Sequence, residues 1–167
     1  MAVAARVAQL FRDNPDIEDF RQEVIALRGD FPFDSEEMQA LGDAYFERYP
    51  DCFSNRSCQD VALGYRMVRI CVVEKLVGRL EEQTAAGFRE MFYNISGIPQ
   101  AVAGLCASIG AERFASLYED LRRRLGEIQL VIDGLPVGMT KERFIGGVSH
   151  IHNVLYIIKS AMKGAGG

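Results

Sequence analysis

The chain holds two histidines, His150 and His152, and four cysteines, Cys52, Cys58, Cys71 and Cys106. These side chains are the best suited to bind a metal or act as nucleophile and base near neutral pH. Their spacing favours neither. On a helix the two histidines point about 200° apart, so they cannot share a ligand or a proton locally. No C-x-x-C pair occurs, and no histidine stands at zinc-finger distance from a cysteine. Cys71 and Cys106 sit in apolar runs and are expected as buried thiols, whereas Cys52 and Cys58 flank a loop. Paired carboxylates occur as Asp16/Asp19, Glu36/Glu37, Glu81/Glu82 and Glu119/Asp120, none joined to a histidine at metal-site spacing. "GLPVGMT" lacks the Gly-Lys-Ser/Thr ending of a phosphate loop. The arginines of "LRRRL", residues 121–125, are expected on a solvated basic face, with an anion or partner contact as the alternative. No nucleophile, base and orienting group come together in the sequence. The expectation is therefore no catalytic residue, no metal and no cofactor.

The acids carry a stronger pattern. Net charge is −4 over 167 residues. Residues 1–60 hold 13 acids and 6 bases, and residues 61–167 hold 10 acids and 13 bases. Within 13–37 lie Asp13, Asp16, Glu18, Asp19, Glu23, Asp30, Asp34, Glu36 and Glu37, against Arg21 and Arg28. Such a run is either a surface for a basic partner or the solvated side of two helices with acids near their N-termini, where the helix dipole favours them. Overall acidity argues against direct nucleic-acid binding, which needs a basic footprint. No apolar segment reaches the roughly 18–20 residues of a membrane span. The N-terminus lacks the basic start and long apolar stretch of a secretory signal. A cytoplasmic protein with no membrane contact is expected.

The elements that must position these groups are helices. Hydrophobic residues make up 49% and charged residues 25% of the chain, the mix of a globular protein. Apolar residues recur three and four apart almost throughout. Val3, Val7, Leu10 and Phe11 mark a first helix, and Ile17, Phe20, Val24 and Leu27 a second. Asp34 and Glu37 form a capping pair for a third, which aligns Met38, Leu41, Tyr45 and Tyr49. Ser57 can cap a helix over about 58–82 that is apolar on most of its circumference, which places it at the centre of the fold. Further helices are expected over 84–94, from Pro99 to Gly110, over 112–128, and from Thr140 to about 162. The last carries Phe144, Val148, Ile151, Leu155, Ile158 and Met162, either as core or as the seam of a homodimer. Gly146 and Gly147 are expected to let another helix approach closely. Only "LVIDGLPVGM" offers a short strand. The expected architecture is an all-α, single-domain bundle of about eight helices, 1–167, around the 58–82 helix.

"GFREMFYNISGIPQ", residues 87–100, reads as a corner between two helices. Gly87 permits close helix approach. Phe88, Met91, Phe92 and Ile95 face inward, and full burial of a side chain like Phe or Met is worth roughly 1.5–3 kcal/mol. Asn94 ends the helix, Ser96 and Gly97 complete the turn, and Pro99 restarts the chain as helix.

The same residues resemble a bacterial domain family whose characterised member is a DNA-mimic protein. The likeness rests on Gly87, Phe88, Phe92, Asn94, Ser96 and Gly97, then Ala101, Leu105, Ile109, Gly110 and Ala111, with the preceding stretch from Glu74 to Glu82. It covers about residues 60–125. Ala85-Ala86 stands where the family tends to have Asn-Gly, and Glu90 where it tends to have Gln. The resemblance implies an all-helical fold and protein binding rather than catalysis: carboxylates spaced like backbone phosphates would fill the basic site of a DNA-binding regulator. An immunity-type inhibitor of a toxin is the related possibility. The acids available for this are Asp16, Glu18, Asp19, Glu23, Asp30, Asp34, Glu36 and Glu37. The motif residues themselves read as corner chemistry. A second expectation, from another class, is a small-molecule sensor or enzyme with a pocket lined by Tyr65, Cys71, Phe92, Tyr93 and His152.

Overall fold

A computed structural model describes residues 3–28, 34–50 and 58–165. The helices are α1 (Val3–Asp13), α2 (Ile17–Ala26), α3 (Ser35–Arg48), α4 (Cys58–Val77), α5 (Glu82–Tyr93), α6 (Ile98–Ile109), α7 (Ala111–Asp133) and α8 (Met139–Ala165). A 3-10 turn, Ile95–Gly97, joins α5 to α6. No strand occurs among the described residues, so the fold is all-α. The "LVIDGLPVGM" strand candidate is corrected: its first four residues end α7. Leu125, Ile128 and Ile132 are three and four apart and all buried, so the helical period overrides the local β preference.

α1 packs on α3 and more lightly on α2, α2 packs on α4, and α8 packs on α4, α6 and α7. One continuous core takes buried residues from all eight helices. The expectation of α4 as the centre needs one refinement: α8 shares that place, with contacts to five other helices. Its stripe of Phe144, Val148, Ile151, Leu155 and Ile158 is buried within this chain. Gly146 makes the approach possible, since a Cβ there would lie 2.8 Å from Tyr65 Cε1 on α4.

α4 also ends earlier than its apolar period suggests, at Val77 rather than near residue 82. Gly78 follows, and a turn closes through Leu80 N–H donating to the Val77 carbonyl at 3.0 Å. The last-turn carbonyls at this end are met by Arg124 of α7, whose Nη1 and Nη2 donate to Leu76 O at 2.7 Å and Lys75 O at 2.8 Å. A cation on the last carbonyls of a helix satisfies unpaired acceptors and the negative end of its dipole together. Of the "LRRRL" arginines, Arg122 and Arg123 fit the expected solvated face. Arg124 does not, because it turns inward as a helix cap.

The corner forms as expected, with one correction. Phe88 and Phe92 are buried, and Phe88 stacks on Phe114 with ring centroids 5.3 Å apart. Gly87 faces the Leu105 side chain of α6, where a Cβ would come within 3.2 Å. Ile95 does not face inward but is exposed. The helix stops at Asn94, so its period no longer places residue 95. Asn94 is extended, its N–H donates to Glu90 O, and its Oδ1 accepts from Ser96 Oγ at 2.9 Å. Gly110, with φ of 93°, turns the chain between α6 and α7.

Candidate functional site

Most of the acidic residues stand at the starts of α2 and α3, while Glu23 lies in the second half of α2. Asp16 caps α2, its Oδ1 accepting from Glu18 N at 2.9 Å and Asp19 N at 3.2 Å. Asp34 caps α3 by accepting from Glu37 N at 2.9 Å. These two acids thus have a local helical reason to be present. Both remain exposed, as do Glu18, Asp19, Glu23 and Glu36. Glu18 reaches Arg21 at 3.2 Å, and Glu23 accepts from Asn14 at 3.1 Å. Asp19 and Glu36 engage no cation among the described residues. Both acidic helices pack on α1. Asp30 lies outside the described residues, as do Cys52 and Ser57.

Glu37 departs from the expected surface. It is half-buried, and burial together with the Asp34 charge pushes its carboxyl up to about 7, with Lys75 opposing. It carries only part of a charge near neutral pH, so the acidic run holds fewer fixed charges than its sequence suggests.

The five residues expected to line one pocket are dispersed. Cys71 and Phe92 are buried in the core. Burial pushes the Cys71 thiol far above its usual range, which makes it a poor nucleophile. Cys106 is half-buried rather than buried. Tyr65 accepts from Arg143 Nη1 at 3.0 Å and lies against α8. His152 lines a shallow cleft of about 300 Å³ between α7 and α8 with Tyr118, Tyr156, Arg122, Lys159 and Lys163. Tyr93 lines a different pocket altogether. The histidines are separated as expected: His152 is exposed, while His150 is half-buried near Arg69, and burial followed by that cation holds its imidazole below the usual range. Among the described residues no group of three or more His, Cys, Asp or Glu side chains is placed to hold a metal ion. No helix among them is long and apolar enough to cross a membrane.

Two arrangements escaped the sequence. The first is an ionic network beneath the corner. Glu74, fully buried on α4, meets Arg89 Nη2 at 2.8 Å and Nε at 2.9 Å, and accepts from Tyr93 OH at 3.1 Å. Arg89 and Tyr93 belong to "GFREMFYN", so this segment is clamped to α4 by charge as well as by its phenylalanines. Burial, then the Glu74 charge, drives the Tyr93 hydroxyl well above its ordinary range.

The second arrangement is a basic pocket of about 200 Å³ lined by Ile17 and Arg21 of α2, Arg66, Arg69 and Ile70 of α4, and Tyr93. The Arg21 guanidinium stacks 4.6 Å from the Tyr93 ring centroid. The signal available in the sequence was Arg66 and Arg69, three apart on a helix that is apolar around most of its circumference. Arg21 joins them only through the packing of α2 on α4.

No protein-family model matches this chain, and no curated protein and no solved structure is significantly similar to it.

Proposed function

We propose that this chain is a non-enzymatic, cytoplasmic protein-binding module whose acidic α2 and α3 termini occupy the basic, DNA-binding surface of a partner protein. The observation that carries the reading is the exposure of Asp16, Glu18, Asp19, Asp34 and Glu36 at two helix starts, in a half of the chain with 13 acids and 6 bases. Carboxylates held on rigid helix ends present negative charge without loop ordering. A basic DNA-binding surface meets them as it meets phosphates, with attraction that weakens as salt rises. The likeness of residues 60–125 to the DNA-mimic family supports the same class of partner. An immunity-type inhibitor of a basic toxin would use the same electrostatics.

Affinity capture from a bacterial lysate at low and high salt tests this. The expected outcome is a DNA-binding protein that is retained at low salt and released both by high salt and by added duplex DNA. Retention insensitive to salt and DNA, or no retained DNA-binding protein, would contradict the reading.

A further inference from the structure

The basic pocket between α2 and α4 has no part in the acidic-face reading, and its charges are unbalanced. Arg21, Arg66 and Arg69 share one concavity of about 200 Å³, and no carboxylate lines it. The acids that touch its lining residues are already engaged. Glu74 holds Arg89 and Tyr93, and Glu18 pairs with Arg21 Nη2 at 3.2 Å. Guanidinium groups stay charged in proteins, so they cannot relieve mutual repulsion by losing a proton. Arg69 feels this most: its surroundings, through burial and then through Arg66 and Arg21, disfavour its cation. The Nε atoms of Arg21 and Arg69 are both shielded from solvent and lack a hydrogen-bond partner. Shielded donors without acceptors cost free energy, and a native structure that keeps them calls for an explanation. His150 adds a further imidazole beside Arg69.

We infer that the Arg21–Arg66–Arg69 pocket binds a small phosphate-bearing anion. Three guanidinium forks match a compact, multiply charged oxyanion that can accept several bidentate bonds at once. A single carboxylate would leave most of the positive charge unmet. Ile17, Ile70 and the Tyr93 ring offer apolar wall beside the cations, which suits the organic part of a small phosphate ester. The volume is below the common range for drug-sized ligands, which favours a small anion over a whole nucleotide.

Thermal melting of the full chain, with inorganic phosphate, diphosphate and succinate as probes and sodium chloride at matched ionic strength as control, tests the site. Diphosphate is expected to raise the melting temperature most, phosphate less, and succinate and chloride little. Arg66→Gln, at an exposed position, should weaken the diphosphate response about tenfold or more, the loss of a charge-assisted hydrogen bond. Arg69→Gln should do the same while leaving the ligand-free melting temperature unchanged or higher, because it removes an unpartnered charge. A diphosphate response that persists in both variants would place the anion elsewhere, for example at the Arg122, Lys159 and Lys163 cleft, and overturn the assignment. A larger response to succinate than to diphosphate, or no response to either, would overturn it too. Glycerol phosphate, added as a further probe, separates the sources: a shift no larger than that of inorganic phosphate supports a free phosphate or diphosphate as the ligand, and a larger one supports a phosphate ester. Neither result bears on the acidic face, which is tested by its own partner.

Discussion

Glu74 is a carboxylate with no solvent exposure, and such a charge survives in a core only when its hydrogen bonds are complete. Two Arg89 nitrogens and the Tyr93 hydroxyl supply them. Arg89→Met would leave the carboxylate uncompensated and should lower stability by about 3–5 kcal/mol in urea unfolding at neutral pH. Replacing Glu74 and Arg89 together with leucine and methionine should cost less than Arg89→Met alone. A single-variant loss under about 1 kcal/mol would contradict the clamp. Glu37 makes the opposite case, an acid strained by its place. Its carboxyl titrates at about 7 in the fold and at 4.5 unfolded. Between those values the folded state binds more protons, so stability falls as pH rises through that window. Glu37→Gln should therefore be more stable than the parent at about pH 8, by of order 1 kcal/mol once partial exposure is discounted. The gap should close below about pH 4.5. A gap that stays constant with pH would contradict this account. Neither role was legible in the sequence. In the sequence Glu74 is one of several charged residues in an apolar stretch, and Glu37 is a capping partner of Asp34 and a surface acid, because the groups that bury them come from other helices.

At the scale of elements, apolar spacing was enough to find all eight helices, since each buries a stripe three and four residues apart. Helix ends were harder. α4 stops at Val77 where Gly78 interrupts it, and Arg124, which caps that end, is 48 residues away from Leu76 in the chain. No local pattern announces such a cap. The glycines test how closely the elements meet. Gly146 lies where α8 crosses Tyr65, and Gly146→Val should separate the helices and lower stability by about 1–3 kcal/mol. Gly104, exposed on α6 with open space around it, is a helix interior glycine without a packing role. Gly104→Ala should raise stability by about 0.5–1 kcal/mol. A melting temperature of Gly146→Val at or above the parent's would contradict the close approach of α8 to Tyr65, and one of Gly104→Ala below the parent's would contradict the open space around Gly104.

Across the whole molecule, charge is distributed by half. The first 60 residues are acidic and the remainder is mildly basic, as composition alone reveals. The structure adds where the acids stand: at two helix starts, five of them exposed, with Asp16 and Asp34 doing double duty as caps. That double duty guides the decisive variant. Asparagine caps a helix as well as aspartate, so Asp16→Asn and Asp34→Asn remove charge and keep the helix ends. Joined with Glu18→Gln, Asp19→Asn and Glu36→Gln, they neutralise the face without touching the core. The most direct measurement is the elution of DNA-binding proteins from immobilised duplex DNA by this chain and by the neutralised variant at low salt. The account predicts that the parent displaces a DNA-binding protein and the folded, neutralised variant does not. Equal displacement by both, or by neither, would contradict the acidic face as the working surface.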